Sequence, residues 1–322
     1  MESMLLLGFI GILREALKIF CKNGRIMASI ALFTFLAQSI LYLANFFSIM
    51  PLIFDLLLQR NLLHIATPDT PGFTDILNHI RKDIKILFEL ELVYLILDSI
   101  AFLLSSTATV LAAAIIHGGK EDLSFKDLVL RTARTWTRPL VTWLYINLLG
   151  LVYLFGFLAI LIGMILVIQN PVILAVAAIL LGVSAVLHYI YLTVTWNLAI
   201  VVSAVEETRG LKAIIKASEI VKAMKLQGFL MNLLFSISSV VLVQGMNVSA
   251  KAHESVAVQV CAALIVVNCA SLLRMYWFVA YTVFYYRCKK THGERVELEE
   301  RLDDGYSKLP TTAAPLIGHN IP

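Results

Sequence analysis

The chain reads as an all-α integral membrane protein with six transmembrane helices, and three observations predict this. Apolar residues (AVILMFWYC) make up 59% of the 322 residues and charged residues only 15%, whereas soluble domains run nearer 45–50% and about 25%. Mean hydropathy is +0.84. Six stretches hold the ~20 apolar residues that a helix needs to cross a hydrocarbon core. Together these exclude an ordinary soluble enzyme, a disordered chain and a nucleic-acid-binding domain. The formal charge of +4 is small for the length, so the placement of charge carries more information than its size.

The spans fall at residues 26–58, 86–116, 140–168, 172–205, 229–246 and 256–286. At ~1.5 Å rise per residue, the longer ones outreach a ~30 Å core and are expected to tilt, kink or enter the interface. Pro51 is expected to kink or end the first. Asn170-Pro171 marks an uncharged turn between the third and fourth, a signal for a tight connection. No cleavable leader is expected, because the first twenty residues lack a basic region ahead of an apolar run. The first span is expected to act as a signal anchor.

Basic residues orient the spans. Twenty of the 26 Lys and Arg lie before span one, between spans two and three, between spans four and five, or in the tail. Five lie on the opposite side (Arg60, Arg81, Lys82, Lys85 and Lys251), and Arg274 lies inside span six. Both termini are therefore expected in the cytosol. The region 59–85 is expected to be an outer loop, turn-rich at Pro68–Gly72 and then briefly helical through Asp75, Ile76, His79 and Ile80.

Each pair of spans is preceded by an amphipathic segment. In the first, Gly8, Gly11, Glu15, Lys18 and Lys22 form one stripe, with Leu6, Phe9, Ile10, Leu13, Leu17 and Phe20 on the other. Such a helix is expected to lie in the interface with its basic edge toward headgroups. The second opens at Ser124-Phe125-Lys126-Asp127, which resembles a capping box, and carries Arg131, Arg134 and Arg138. The third sets Ile214, Ile215, Ser218 and Val221 opposite Lys212, Lys216, Glu219 and Lys222. This suggests three parallel units, at about 1–117, 118–205 and 206–290, each an interfacial helix plus a two-helix hairpin. The alternative is that any cytosolic loop beside a membrane becomes amphipathic. Residues 291–322 are expected to form a disordered cytosolic tail.

The run Asn197–Gly210 ends in the acidic pair Glu206-Glu207 and a glycine, and leads into the basic helix with Ala213, Ala217 and Ser218. The last span closes Val283-Phe284-Tyr285-Tyr286-Arg287-Cys288-Lys289. Together these resemble a plant family of uncharacterised six-span membrane proteins. More remotely they look like the membrane domain attached to some bacterial glycerophosphodiester phosphodiesterases. The resemblance implies the fold and membrane residence over about residues 1–295. It brings no catalytic residues, because no segment here is long enough for the phosphodiesterase barrel.

Ionisable residues inside spans are functional candidates by default. Counting from the outer ends places Asp98, His188 and Arg274 at similar depth, and Glu91 lies seven residues from Asp98, on the same face. An Asp98–Arg274 pair with His188 nearby is expected, with Asn147, Asn197, Asn232, Gln244 and Asn268 completing a polar interior. It reads either as an interhelical clamp or as a proton or solute path. Metal and nucleophile chemistry finds no motif: the four cysteines form no C-x-x-C, and neither HExxH nor a P-loop occurs. His117-Gly118-Gly119 is read as a helix stop. No metal and no cofactor are expected. Cys21 and Cys288, at the cytosolic boundary, are either plain thiols or S-acylation sites. Asn247-Val248-Ser249 fits a glycosylation acceptor, and Tyr306-Ser307-Lys308-Leu309 has the shape of a sorting signal, resting on Tyr306 and Leu309.

The leading expectation is a non-enzymatic multi-pass protein of the endomembrane system or plasma membrane. It would meet membrane lipids or cytosolic protein partners, and no nucleic acid, through Arg131, Arg134, Lys212, Lys216, Lys222 and Lys225. Each basic residue near an anionic surface is worth about 1 kcal/mol. The same residues could serve as topology determinants alone. The alternative function is a carrier or channel around Asp98, His188 and Arg274.

Overall fold

The computed structural model describes residues 2–65, 71–119, 124–252 and 255–291. Among the described residues the fold is all helical. In order the helices are α1 (Glu2–Lys22), α2 (Gly24–Ile65), α3 (Pro71–His117), α4 (Phe125–Thr135), α5 (Thr137–Val167), α6 (Pro171–Val205), α7 (Leu211–Val221), α8 (Lys225–Ala252) and α9 (Val256–Thr291). Six of these, α2, α3, α5, α6, α8 and α9, are long and apolar enough to cross a membrane. Each contains one expected span. The sequon at Asn247 lies where no side chain is described, and Tyr306 and Leu309 lie outside the described residues.

Three local expectations are narrowed or corrected. Pro51 does not end α2, which continues through it to Ile65. The expected outer loop is instead mostly helix. With 42 and 47 residues, α2 and α3 run about 60–70 Å at ~1.5 Å per residue, twice a ~30 Å core. Their extensions are pinned by Gln59, whose Nε2 donates to Asp83 at 2.9 Å and Asp55 at 3.2 Å. Ser124 stands at the N-cap of α4 but makes no side-chain capping bond. Asn170 does cap α6, accepting from the amides of Val172 at 3.0 Å and Ile173 at 3.3 Å. The positive φ at the α3 stop belongs to Gly119, at 81°.

Sequential partners pack together: α2 on α3, α5 on α6, and α8 on α9. Helix α9 also touches α1, α2, α3, α6 and α7, so it is the hub. The buried core lies at one end of the bundle. It joins Val110–Ile116 of α3, Val194–Ala204 of α6 and Met275–Cys288 of α9 to Ile12 and Ala16 of α1 and Ala213 and Ala217 of α7. Toward the other end, apolar side chains such as Phe88, Phe155, Val167, Val172 and Ile179 are exposed, as lipid-facing residues are.

Helix α1 corrects the expected stripe. Its Gly8, Gly11 and Glu15 edge faces protein, and Leu7, Ile10 and Leu17 are exposed. The glycines let α8 and α9 approach. A Cβ on Gly11 would stand 3.1 Å from Arg287 Nη1. Arg287 grips Glu15 through Nη2 at 2.7 Å and Nε at 3.1 Å, and donates to the Gly8 carbonyl at 3.2 Å.

Candidate functional site

Where α6 ends, the chain turns sharply. Glu206 is extended, and Gly210 takes φ 61° to begin α7. A Cβ there would stand 3.0 Å from the Tyr145 ring, and the Gly210 amide donates to Thr142 Oγ1 at 2.9 Å. This fixes residues 206–210 against α5 and points Glu206 inward. Its carboxylate accepts from Lys216 Nζ at 2.7 Å, Tyr285 Oη at 2.5 Å and Lys289 Nζ at 3.3 Å. Burial pushes the Glu206 pKa up, but the hydrogen bonds and charges of Lys216, Tyr285 and Lys289 outweigh it and hold the carboxyl below the usual glutamate range. Beside it Arg138 reaches Glu207 at 3.9 Å.

This knot floors a cavity of about 440 Å³ between α3, α4, α5, α6, α7 and α9. Five cations line it, Arg131, Arg134, Arg138, Lys216 and Lys289, against two carboxylates, Glu206 and Glu207. The formal balance is strongly positive. Thr208 and Tyr286 line it too, and their buried hydroxyls have no hydrogen-bond partner among the described residues. The Tyr286 ring is fixed by stacking on His117 at 4.6 Å. Neither the Arg131 nor the Arg134 guanidinium has a hydrogen bond or ion pair among the described residues. Two guanidinium groups without a protein partner and two buried unpaired hydroxyls, under net positive charge, are suited to an anion.

Of the six basic residues singled out from sequence, three line this cavity: Arg131, Arg134 and Lys216. Lys212, Lys222 and Lys225 are exposed outside it. Sequence reasoning placed Arg138 on the second basic segment without making it a site residue, and it missed Lys289, Tyr286 and the role of Glu206. The acidic pair and the closing Tyr-Tyr run were visible, but only as family likeness. Of the two boundary cysteines, Cys288 is fully buried and Cys21 exposed, so between them only Cys21 is open to modification.

The intramembrane set is only partly assembled. Asp98 accepts from Gln38 Nε2 at 2.9 Å, and it forms no ion pair with Arg274 in this structure. The Arg274 guanidinium instead lies over the Phe102 ring, 5.2 Å from its centroid. His188 is not nearby. It is exposed on α6, stacked on Tyr153 of α5 at 5.8 Å. Glu91 and Asp98 do share a cavity of about 250 Å³ with Gln38, Tyr42, Asn45 and Tyr94. Next to it, the space bounded by Gln38, Phe102 and Arg274 shrinks to about 10 Å³, less than one water needs with room to spare. Of the polar interior residues, Asn232 is a true hub. It donates to the Ile190 carbonyl at 2.8 Å and to Thr193 Oγ1, and accepts from Asn197 and Tyr281. Asn268 pairs with Ser39 of α2, and Asn147 with its own helix.

Over residues 1–311 the chain matches a family model described as a domain of unknown function, DUF8558. No curated protein matches, and no solved structure does.

Proposed function

Because the chain belongs to the DUF8558 family, whose description assigns no activity, we propose a function from the site itself: a non-enzymatic multi-pass membrane protein that binds anionic lipid of the cytosolic leaflet. The carrying observation is the cavity of about 440 Å³ lined by five cations and two carboxylates. It lies at the end of the bundle that holds α1, α4 and α7, the end rich in Lys and Arg. By the positive-inside rule that end is cytosolic, in the endomembrane system or plasma membrane. On this reading α1, α4 and α7 lie along the interface, one before each spanning pair. Cytosolic protein partners would meet the exposed Lys212, Lys222 and Lys225.

The test is lipid retention. Protein purified in mild detergent and exchanged into mixed phosphatidylcholine and phosphatidylglycerol should enrich the anionic lipid in native mass spectra. Arg131→Gln with Arg134→Gln should abolish the enrichment. Equal retention of both lipids by the unaltered protein would refute the reading.

A second reading has one observation in its favour. The cavity holding Glu91 and Asp98 is polar and lies within the spanning region, as a carrier's site would. The constriction beside Arg274 weighs against an open channel. A carrier requires that Asp98→Asn abolish solute or proton flux in vesicles while folding survives.

A further inference from the structure

We infer that the basic cavity is a seat for a phosphomonoester, the headgroup of a lipid whose phosphate carries no second ester. This rests on the anionic-lipid reading above and narrows it. Glu206 already occupies Lys216, Lys289 and Tyr285, and Arg138 is turned toward Glu207. What remains for a ligand is Arg131, Arg134 and the hydroxyls of Thr208 and Tyr286. The Tyr286 side chain belongs to a residue only 6% exposed, so its hydroxyl cannot be satisfied by bulk water. Burying an unpaired hydroxyl is costly, and a ligand acceptor removes that cost.

The donors count in favour of a monoester. Each guanidinium presents a fork of two N–H groups. Two forks and two hydroxyls offer about six donors, roughly two for each of three terminal phosphate oxygens. A diester presents only two such oxygens and a single negative charge, whereas a monoester carries about −1.5 to −2 near neutral pH. With five cations against two carboxylates the wall keeps a net positive balance, so the second charge of a monoester adds attraction that a diester lacks.

The membrane lipid is favoured over a soluble phosphate by what lies on the adjoining face of α4. Phe125, Leu128, Val129 and Thr132 there line an apolar cavity of about 400 Å³ shared with α2 and α3. Arg131 and Arg134 face the basic cavity from the next faces of the same two-turn stretch. A phosphate held by the arginines therefore has a place for its acyl chain one helix face away.

The experiment uses the full chain in nanodiscs and in detergent, with binding read by native mass spectrometry. Phosphatidic acid should bind at least about tenfold tighter than phosphatidylglycerol with the same acyl chains. Tyr286→Phe, which keeps the ring and its stacking, should weaken phosphatidic acid by about tenfold, the worth of one hydrogen bond to a charged group. It should leave phosphatidylglycerol nearly unchanged. Thr208→Val should act in the same direction. Equal binding of the two lipids, with both lost in the Arg131→Gln/Arg134→Gln variant, overturns the monoester and leaves the anionic-lipid reading standing. Equal binding with neither lost overturns both. Glycerol 3-phosphate binding as tightly as phosphatidic acid assigns the seat to a soluble phosphomonoester and overturns the lipid.

Discussion

Neutralising Glu206 tests whether the floor of the basic cavity is held by charge or by packing. In Glu206→Gln the Lys289 ammonium keeps its charge while its side chain is only 5% exposed, and the oxygen that Lys216 meets at 2.7 Å loses its charge. Breaking a buried pair by removing one partner costs about 3–5 kcal/mol. Lys216 is a third exposed and can turn to water, so its share is discounted. A loss of about 3 kcal/mol is therefore expected, carried mainly by the buried Lys289 ammonium, which loses the Glu206 charge. Lys289→Met should cost somewhat less, since its removal leaves Glu206 with Lys216 and Tyr285. The double variant should recover about 1–3 kcal/mol relative to the sum of the singles, as contacting residues do. Reversible denaturation in detergent, followed by tryptophan fluorescence, reads all three. The pH response carries an independent sign. The Glu206 carboxyl is held below its unfolded value of about 4.3, so its contribution is complete above that value and is lost as pH falls through the folded one. The unaltered protein should lose stability more steeply than Glu206→Gln below about pH 4.3. Additive singles, or parallel acid curves, would show that the cavity floor is held by packing alone.

Four further perturbations bear on the elements around the site. Arg287→Met removes three bonds to α1, at a cost of about 1–2 kcal/mol for partly exposed charged bonds. A cysteine placed at Ile12, fully buried in the native chain, should then label faster with a maleimide, and unchanged labelling would mean α1 is held by apolar contact. Gly228→Ala pushes a methyl to 2.7 Å from Val194 Cγ1 and 3.0 Å from Phe284 Cζ; overpacking of about 1–3 kcal/mol should follow, partly relieved by Val194→Ala in the same chain and visible in thermal unfolding. Gly210→Ala meets both a φ of 61° and the Tyr145 ring, so a cost of about 1–3 kcal/mol should persist when Tyr145 is trimmed to alanine. Exchanging Asp98 and Arg274 should fail to restore expression lost in either single exchange, because Asp98 bonds Gln38; full rescue would reinstate the direct pair.

How far the sequence could be read depends on what each inference required. Spans require only composition over ~20 residues, and all six helices contain them. Asn170-Pro171 required only local chemistry, and its cap forms. The Asp98–Arg274 pair required depth and rotation to be known together. At 100° per residue and with unknown tilt, depth counted from the span ends does not say which face a side chain takes. Arg274 found an aromatic ring, Asp98 an amide on α2, and His188 the surface of α6. The stripe on α1 failed for a related reason. Its small and charged residues satisfy equally a wet interface and a helix whose glycines admit an arginine from α9. Only the tertiary partner, Arg287, separates the two.

The same comparison explains why the site was half visible. Arg131, Arg134 and Lys216 stood out because charge between spans is conspicuous against an apolar chain. Lys289, Tyr285 and Tyr286 were hidden at the end of a span, where polar residues read as the place the helix leaves the membrane. They are brought to the loop by α9, which packs on α3, α6 and α7. A basic loop alone would be satisfied by water and counterions. Closed over the buried end of α9, with Glu206 paired to two of its cations and two hydroxyls left without acceptors, it becomes a concave pocket. There an arriving anion gains more from each donor than at an open surface. That difference in desolvation, more than the number of basic residues, separates a binding site from a topology signal.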